Sequence, residues 1–82
     1  MTHLLFPPAA VQVTLGPDGT PAFIGGAFNG SVDAIARWKV ETEWWKKVVI
    51  REYWKAVLNN NVLCELYHDM SQDEWFVERV YD

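Results

Sequence analysis

The sequence contains little of what metal proteins and most enzymes need. It has one cysteine, Cys64, and two histidines, His3 and His68. One cysteine excludes an internal disulfide. If Cys64 and His68 share a strand, their spacing is about 13 Å, too far for a shared metal ion or for activation of the thiol. We therefore expect no metal site, no cofactor and no catalytic residue, and the sequence predicts a protein that is not an enzyme.

Long apolar runs, a phosphate loop and an excess of positive charge are absent as well. No stretch approaches the roughly 20 apolar residues of a membrane helix, so we expect no membrane association. Gly25, Gly26 and Gly30 lack the spacing of a phosphate-binding loop. The net charge of −4 argues against a simple nucleic-acid clamp. A lone cysteine, with no signal-peptide pattern at the N-terminus, indicates a cytoplasmic protein.

Large aromatic side chains are what the sequence has in quantity. A chain of 82 residues needs a dense core, and five Trp, four Phe and three Tyr can supply it. Half of the residues are hydrophobic and 22% are charged, which is typical of a globular domain. We predict an extended leader over 1–10, interrupted by Pro7 and Pro8, and a single small β domain over 11–82.

The segment from Arg51 to Asp69 specifies its own strand pairing. Two runs of β-forming residues flank Asn59-Asn60-Asn61, which predicts a hairpin with a three-residue loop. One face then pairs Leu58 with Val62, Ala56 with Cys64, Trp54 with Leu66 and Glu52 with His68, and the other pairs Lys55 with Glu65, Tyr53 with Tyr67 and Arg51 with Asp69. A slip of one residue would spoil both faces, so we expect this register to be fixed.

Alternating segments on both sides of this hairpin indicate further strands. Residues 11–15 and 20–24 predict a first hairpin, with Val11, Val13 and Leu15 on its apolar face. Residues 32–40 fit either a strand or a short amphipathic helix. We favour the strand, which places Trp38 in the core together with Trp54.

The last hairpin, completed by a strand over 74–81, has two possible registers. In one, Leu66 pairs with Val77 and Glu65 faces Glu78, whereas in the other Leu66 pairs with Phe76. The fold class predicted from all these segments is all-β. We expect an antiparallel meander of about six short strands, forming a strongly twisted sheet or a small half-open barrel, with at most one short helical turn near 41–47.

Aromatic and basic residues alternate in the middle of the chain. Trp44 and Trp45 are adjacent and cannot both point inward from a regular strand, so we expect one of them at the surface beside Lys46 and Lys47. Exposed rings beside cations are typical of partner surfaces and of platforms for single-stranded nucleic acid. The candidate contact residues are Trp44, Trp45, Lys46, Lys47, Arg51, Tyr53 and Lys55.

Several of these motifs together resemble a known small domain. The matching residues are Arg37-Trp38-Lys39-Val40, Trp44-Trp45, Arg51-Glu52-Tyr53-Trp54, Tyr67-His68-Asp69, Trp75-Phe76 and the leader Leu4-Leu5-Phe6-Pro7-Pro8. The pattern is similar to a domain of unknown function found alone in some bacteria and at the C-terminal end of the inactive Y-family polymerase subunit (ImuB-type) of the bacterial mutasome. The resemblance implies a non-catalytic role in DNA-damage tolerance or translesion synthesis, with repair or replication proteins as partners.

Two functional hypotheses follow. The first is a module that binds a protein partner through the Trp44/Trp45 turn, or that forms a homo-oligomer through an uncovered edge strand. The alternative is a single-stranded nucleic-acid-binding domain that uses the basic and aromatic surface.

Overall fold

The strands of this protein close into a ring. The computed structural model describes residues 2–44 and 47–81, and every regular element among them is a β-strand. The strands are β1 (Thr2–Leu15), β2 (Pro21–Gly26), β3 (Gly30–Trp44), β4 (Lys47–Leu58), β5 (Val62–Asp69) and β6 (Glu74–Tyr81). Consecutive strands pair antiparallel, and β1 also pairs with β6. The predicted all-β meander is confirmed. The sequence predicts a strongly twisted sheet or a half-open barrel, and the pairing of β1 with β6 closes that sheet.

The first strand is longer than its alternating segment predicts. Residues 2–10, predicted as an extended leader, belong to β1 and pair with β6, with an interruption between Leu4 and Ala9. That interval contains the two prolines, which have no N–H to donate to a ladder. The predicted hairpin to β2 is present, but its register shifts at Leu15. Beyond the shift Leu15 lies opposite Pro21, and it is 51% exposed, so it adds little to the core.

The hairpin of β4 and β5 has the register that the sequence predicts. All seven predicted pairs are present, and Trp54 and Leu66 are buried neighbours. Asn59 and Asn60 adopt positive φ values of 54° and 56°, which asparagine tolerates better than most residues. The N–H of Asn61 closes the loop by donating to the carbonyl of Leu58 at 3.1 Å. The local sequence therefore determines the centre of the fold.

The core lies inside the ring. All six strands contribute residues to it, but the distal part of β3 does not. Its buried members are Val11, Ile24, Val32, Trp54, Ala56, Leu58, Cys64, Leu66 and Val77. Phe28, in the connection from β2 to β3, packs against this cluster. Burial also raises the pKa of the Cys64 thiol to about 11. Cys64 is thus a small buried hydrophobic residue, as its alternation predicts.

A β-bulge in β3 reverses which side chains face the interior. The ladder with β4 shifts at Ile35, so that Arg37 lies opposite Trp54 and Trp38 lies opposite Tyr53. Trp38 is therefore on the outer face and 38% exposed, and its predicted place in the core is wrong. An unpaired extra residue reverses the inward and outward positions of the side chains that follow it. No residue type in this stretch indicates the bulge.

A second bulge resolves the last hairpin. Leu66 pairs with Val77, but the next pair joins Glu65 to Arg79 and leaves Glu78 unpaired. The bulge thereby keeps Glu65 from facing Glu78 and gives it an opposite charge instead, at 3.6 Å. From Leu66 to Asp69 the hairpin therefore has the first of the two registers that the sequence allows, and the predicted Glu65–Glu78 pair is not formed.

The ring is uneven because β3 and β4 extend beyond it. β2 pairs with β3 only at Gly30 and Ser31, whereas β4 pairs with β3 along nearly its whole length. β5 follows β4 only as far as Arg51. The distal residues, 41–44 and 47–50, form a two-stranded ribbon, called here the arm.

Strands also occupy the segment where the sequence allowed a helical turn. Residues 41–44 and 47 are in β3 and β4, and residues 45 and 46 lie outside the described part of the chain. None of the described residues forms an apolar helix long enough to cross a bilayer.

Candidate interaction surface

Four aromatic rings form a row across the outer face of the sheet, one from each of β3 to β6. Trp38 stacks on Tyr53 with ring centroids 5.5 Å apart, Tyr53 meets Tyr67 at 5.2 Å, and Tyr67 meets Phe76 at 5.3 Å. Each ring lies opposite the next in the strand registers, so the row follows directly from pairing. We call these four residues the aromatic ladder. Such cross-strand contacts stabilise a sheet by about 0.5–1.5 kcal/mol each.

The ladder is open to solvent mainly at its β3 end. Tyr67, at its centre, is only 4% exposed, and burial raises the pKa of its hydroxyl. The guanidinium of Arg51 lies 4.7 Å from the centroid of the Tyr67 ring and covers it. Trp38 is the member with the largest exposed fraction. A binding partner would therefore reach the ladder from the side of β3.

The basic side chains near the ladder make contacts within the protein. Arg51 lies over Tyr67, and the Nζ of Lys55 lies 5.2 Å from the centroid of the Tyr81 ring. Cation–π contacts of this kind contribute about 0.5–1 kcal/mol at exposed sites. Arg51 and Lys55 do lie opposite their predicted acidic partners in register. Their observed contacts, however, are with rings.

A shallow cleft joins the ladder to the arm. Its volume is about 270 Å³, and it is lined by Val40, Thr42, Val49, Arg51 and Tyr53, all on the outer face of β3 and β4. Pockets for small ligands usually measure about 300–1,000 Å³ and enclose most of the ligand. This cleft is slightly smaller than that range and open, so it could not enclose a typical small ligand.

The edge of β3 beside the cleft is uncovered. Among residues 2–44 and 47–81, no strand pairs with β3 beyond Ser31 on the side away from β4. Side chains from 35 to 43 are all exposed. Unpaired N–H and C=O groups along a strand are a template for another strand, and a two-stranded ribbon is only marginally stable in water. The arm thus has the geometry of an incomplete sheet.

The structure brings together only part of the predicted contact set. Arg51, Tyr53 and Lys55 share the outer face of β4, as their spacing predicts. Trp44 and Lys47 form the last described pair of the arm, away from Lys55. Trp45 and Lys46 lie outside the described residues. Sequence reasoning placed Trp38 in the core and did not select Val40. It allowed an uncovered edge strand without identifying it as β3, because the bulge in β3 and the short β2–β3 pairing leave no local signal.

A cluster of polar side chains stabilises the turn between β5 and β6. Asp69 accepts hydrogen bonds from the Ser71 hydroxyl at 2.6 Å and from the Ser71 N–H at 3.0 Å, and these bonds lower the pKa of Asp69. Nε2 of His68 lies 2.7 Å from a carboxylate oxygen of Asp73, and the His68 ring stacks on Trp75. The described part of the chain contains no group of three or more side chains that could hold a metal ion. These contacts stabilise the turn.

Comparisons with known proteins add no family. Neither the protein-family models nor the curated proteins nor the solved structures match this chain. The function is therefore inferred from the surface geometry.

Proposed function

We propose that this protein is a non-catalytic interaction module that binds a partner polypeptide through the open edge of β3. One observation carries the proposal: β3 has fifteen residues, and β2 pairs with only two of them. A partner strand added to this edge would gain main-chain hydrogen bonds, and its alternate side chains would supply specificity.

Side chains around the edge support the same conclusion. Trp38 and Val40 are more than a third exposed on the outer face, and Val48 is exposed on the other face of the arm. Aromatic anchors beside a small cleft are typical of the centre of a protein interface. A strand added beside β3 would cover Trp38 and Val40 and give the arm a third strand.

The setting of this module is proposed from the resemblance of its Trp38–Trp45 and Arg51–Trp54 motifs. A similar domain is found alone in some bacteria and at the C-terminal end of the inactive polymerase subunit of the bacterial mutasome. The proposed partner is therefore a repair or replication protein of the cytoplasm. On this proposal the chain is an accessory component of DNA-damage tolerance and performs no chemistry itself.

The aromatic ladder favours one alternative function, the binding of single-stranded nucleic acid. Bases stack on exposed rings at about 1–3 kcal/mol each, while cations follow the phosphates. Against this alternative, Arg51 and Lys55 lie over rings of their own protein, and the net charge is −4. Protein binding requires neither free cations nor a positive field, and we prefer it.

A titration of labelled oligothymidylate distinguishes the two functions. At about 50 mM salt we expect no binding, because electrostatic attraction is strongest there and the surface is not basic. Micromolar binding that weakens steeply with added salt, and that is lost in Trp38→Ala, would contradict the proposal.

The edge itself is tested with any protein partner that is found. Val40→Lys places a charge on the outer face beside the edge, and we expect it to abolish binding. Glu74→Lys, an exposed change of charge on β6, is the matched control and should bind normally. Equal binding by both variants would show that the partner uses another surface.

A further inference from the structure

The open edge carries an order of charges that is complementary to itself. After the bulge, one face of β3 presents Arg37, Lys39, Glu41 and Glu43 at successive positions, two basic residues followed by two acidic ones. All four are exposed. The opposite face presents Trp38, Val40 and Thr42. Val40 lies at the midpoint of the charge pattern.

We propose that the partner of this edge is the β3 strand of a second copy of the chain, paired antiparallel about a two-fold axis at Val40. This inference rests on the proposed function and names its partner. In that register Lys39 lies opposite the partner's Glu41, and Arg37 lies opposite the partner's Glu43. The two-fold axis repeats each pair, so the interface contains four pairs of opposite charge. Arg37 already contacts Glu52 of its own chain at 3.2 Å, and the partner's Glu43 would join that pair.

Neighbouring registers are less favourable. Two copies of a strand that pair antiparallel about a two-fold axis keep their corresponding faces on the same side of the sheet. The axis therefore passes through a pair of identical residues, and neighbouring registers differ by moving it one residue along the strand. An axis at Lys39 sets Lys39 against its own copy, and an axis at Glu41 does the same for Glu41. Like charges directly opposite one another destabilise a ladder. The charge pattern therefore selects the axis at Val40.

The same register completes the arm. Val40 then lies opposite the partner's Val40, and Trp38 lies opposite the partner's Thr42, so the exposed apolar groups of the outer face gain cross-strand contacts. Pairing from 36 to 44 ends before Ser31, where β2 occupies the edge. The two ribbons then form a four-stranded sheet in the order β4, β3, β3, β4, and a sheet of that size is stable where a single ribbon is marginal.

Disulfide trapping tests the register. Opposite residues in an antiparallel pair have Cα atoms about 4.5–5.5 Å apart, which a disulfide can bridge. Under mild oxidation we expect Val40→Cys to form a covalent dimer at least about tenfold faster than Thr42→Cys, because residue 42 lies opposite residue 38 and not its own copy. The native Cys64 does not compete because it is buried. Equal trapping at both positions, or none at position 40, would overturn the register.

A charge exchange tests the pairing without new cysteines. Lys39→Glu and Glu41→Lys each turn two attractive pairs into repulsive ones, so each variant should dimerise at least about tenfold more weakly in sedimentation velocity. An equimolar mixture of the two restores every pair, as does the double variant, and both should recover wild-type association. Glu74→Lys, with the same charge change outside the edge, should associate normally. Failure of the mixture and of the double variant to recover would overturn the proposal.

The outcomes separate this inference from the proposed function. Self-pairing is overturned if the chain stays monomeric, gives no Val40→Cys dimer and does not bind oligothymidylate. That result leaves the proposed function intact, with a different protein as the partner of the edge. Oligothymidylate binding that is lost in Trp38→Ala overturns the proposed function, whatever the cysteine variants show.

Discussion

The contact between Gly30 and the Asn59 side chain gives a prediction with a calculable magnitude. Gly30 has φ of +147°, a conformation that other residues rarely adopt, and a Cβ at this position would overlap the side-chain amide of Asn59. The oxygen of that amide accepts a hydrogen bond from the N–H of Ser31, and its nitrogen donates one to the carbonyl of Asn29, both at 3.2 Å. It thereby ties the β4–β5 loop to the start of β3.

Gly30→Ala should therefore cost stability in two ways. Backbone strain at this φ contributes about 1–3 kcal/mol. Displacement of the Asn59 amide removes two hydrogen bonds, each contributing about 0.5–1.5 kcal/mol. The expected loss in the free energy of unfolding is about 2–6 kcal/mol, a large part of the total for a small domain. Gly25→Ala is the matched control and should be nearly neutral, because its Cβ would meet only the Asn29 side chain at an ordinary 3.5 Å.

A double-mutant cycle separates the two costs. In an Asn59→Gly background the amide is absent, so Gly30→Ala should cost only the strain, and the two substitutions should couple by about 1–3 kcal/mol. Urea unfolding followed by tryptophan fluorescence, at low protein concentration, measures all four proteins. Additivity of the two substitutions within about 0.5 kcal/mol would refute the proposed overlap.

Three further predictions concern the core and two titrating groups. Leu66→Ala, at a fully buried position, should lower the free energy of unfolding by about 3–5 kcal/mol. Leu15→Ala, at an exposed position, should lower it by under about 1 kcal/mol. Similar losses for the two variants would show that Leu66 is not in the core. Because the Ser71 hydrogen bonds lower the pKa of Asp69, their stabilisation is present at neutral pH and is lost as the pH falls below about 4. Ser71→Ala should therefore be less stable than wild type at neutral pH and approach it in strong acid, and a constant difference in urea midpoint would contradict this origin. The Cys64 thiol, with its pKa raised to about 11, should react with a disulfide reagent at mildly alkaline pH only as fast as the protein opens, and rapid labelling of the folded chain would contradict its burial.

The part of the fold that the sequence predicts best is the part specified locally. The β4–β5 register follows from a three-residue loop and two matched faces, and the structure has every predicted pair. Glu65 shows the limit of this reasoning, because the choice between the two registers of the last hairpin depends on a bulge at Glu78. A bulge shifts the alternation of inward and outward side chains by one residue, and no residue type in this segment marks its position.

Non-local features could not be predicted in the same way. Closure of the ring joins Thr2 to Tyr81, at opposite ends of the chain, and no short-range pattern encodes that pairing. For the candidate surface, period-two spacing correctly placed Arg51 and Tyr53 on one face. It placed Trp38 on the wrong one, because the bulge at Ile35 lies between Trp38 and the part of β3 that lines the core.

Amide hydrogen exchange on the unmodified chain, at low and at high protein concentration, tests the open edge of β3 most directly. We predict that amides between residues 36 and 43 that point away from β4 exchange rapidly when the protein is dilute and are protected when it is concentrated. Amides of β5, which pairs on both sides, should be protected in both samples. Protection of the β3 amides in dilute solution would show that the edge is not open, and rapid exchange at both concentrations would show that no second copy covers it.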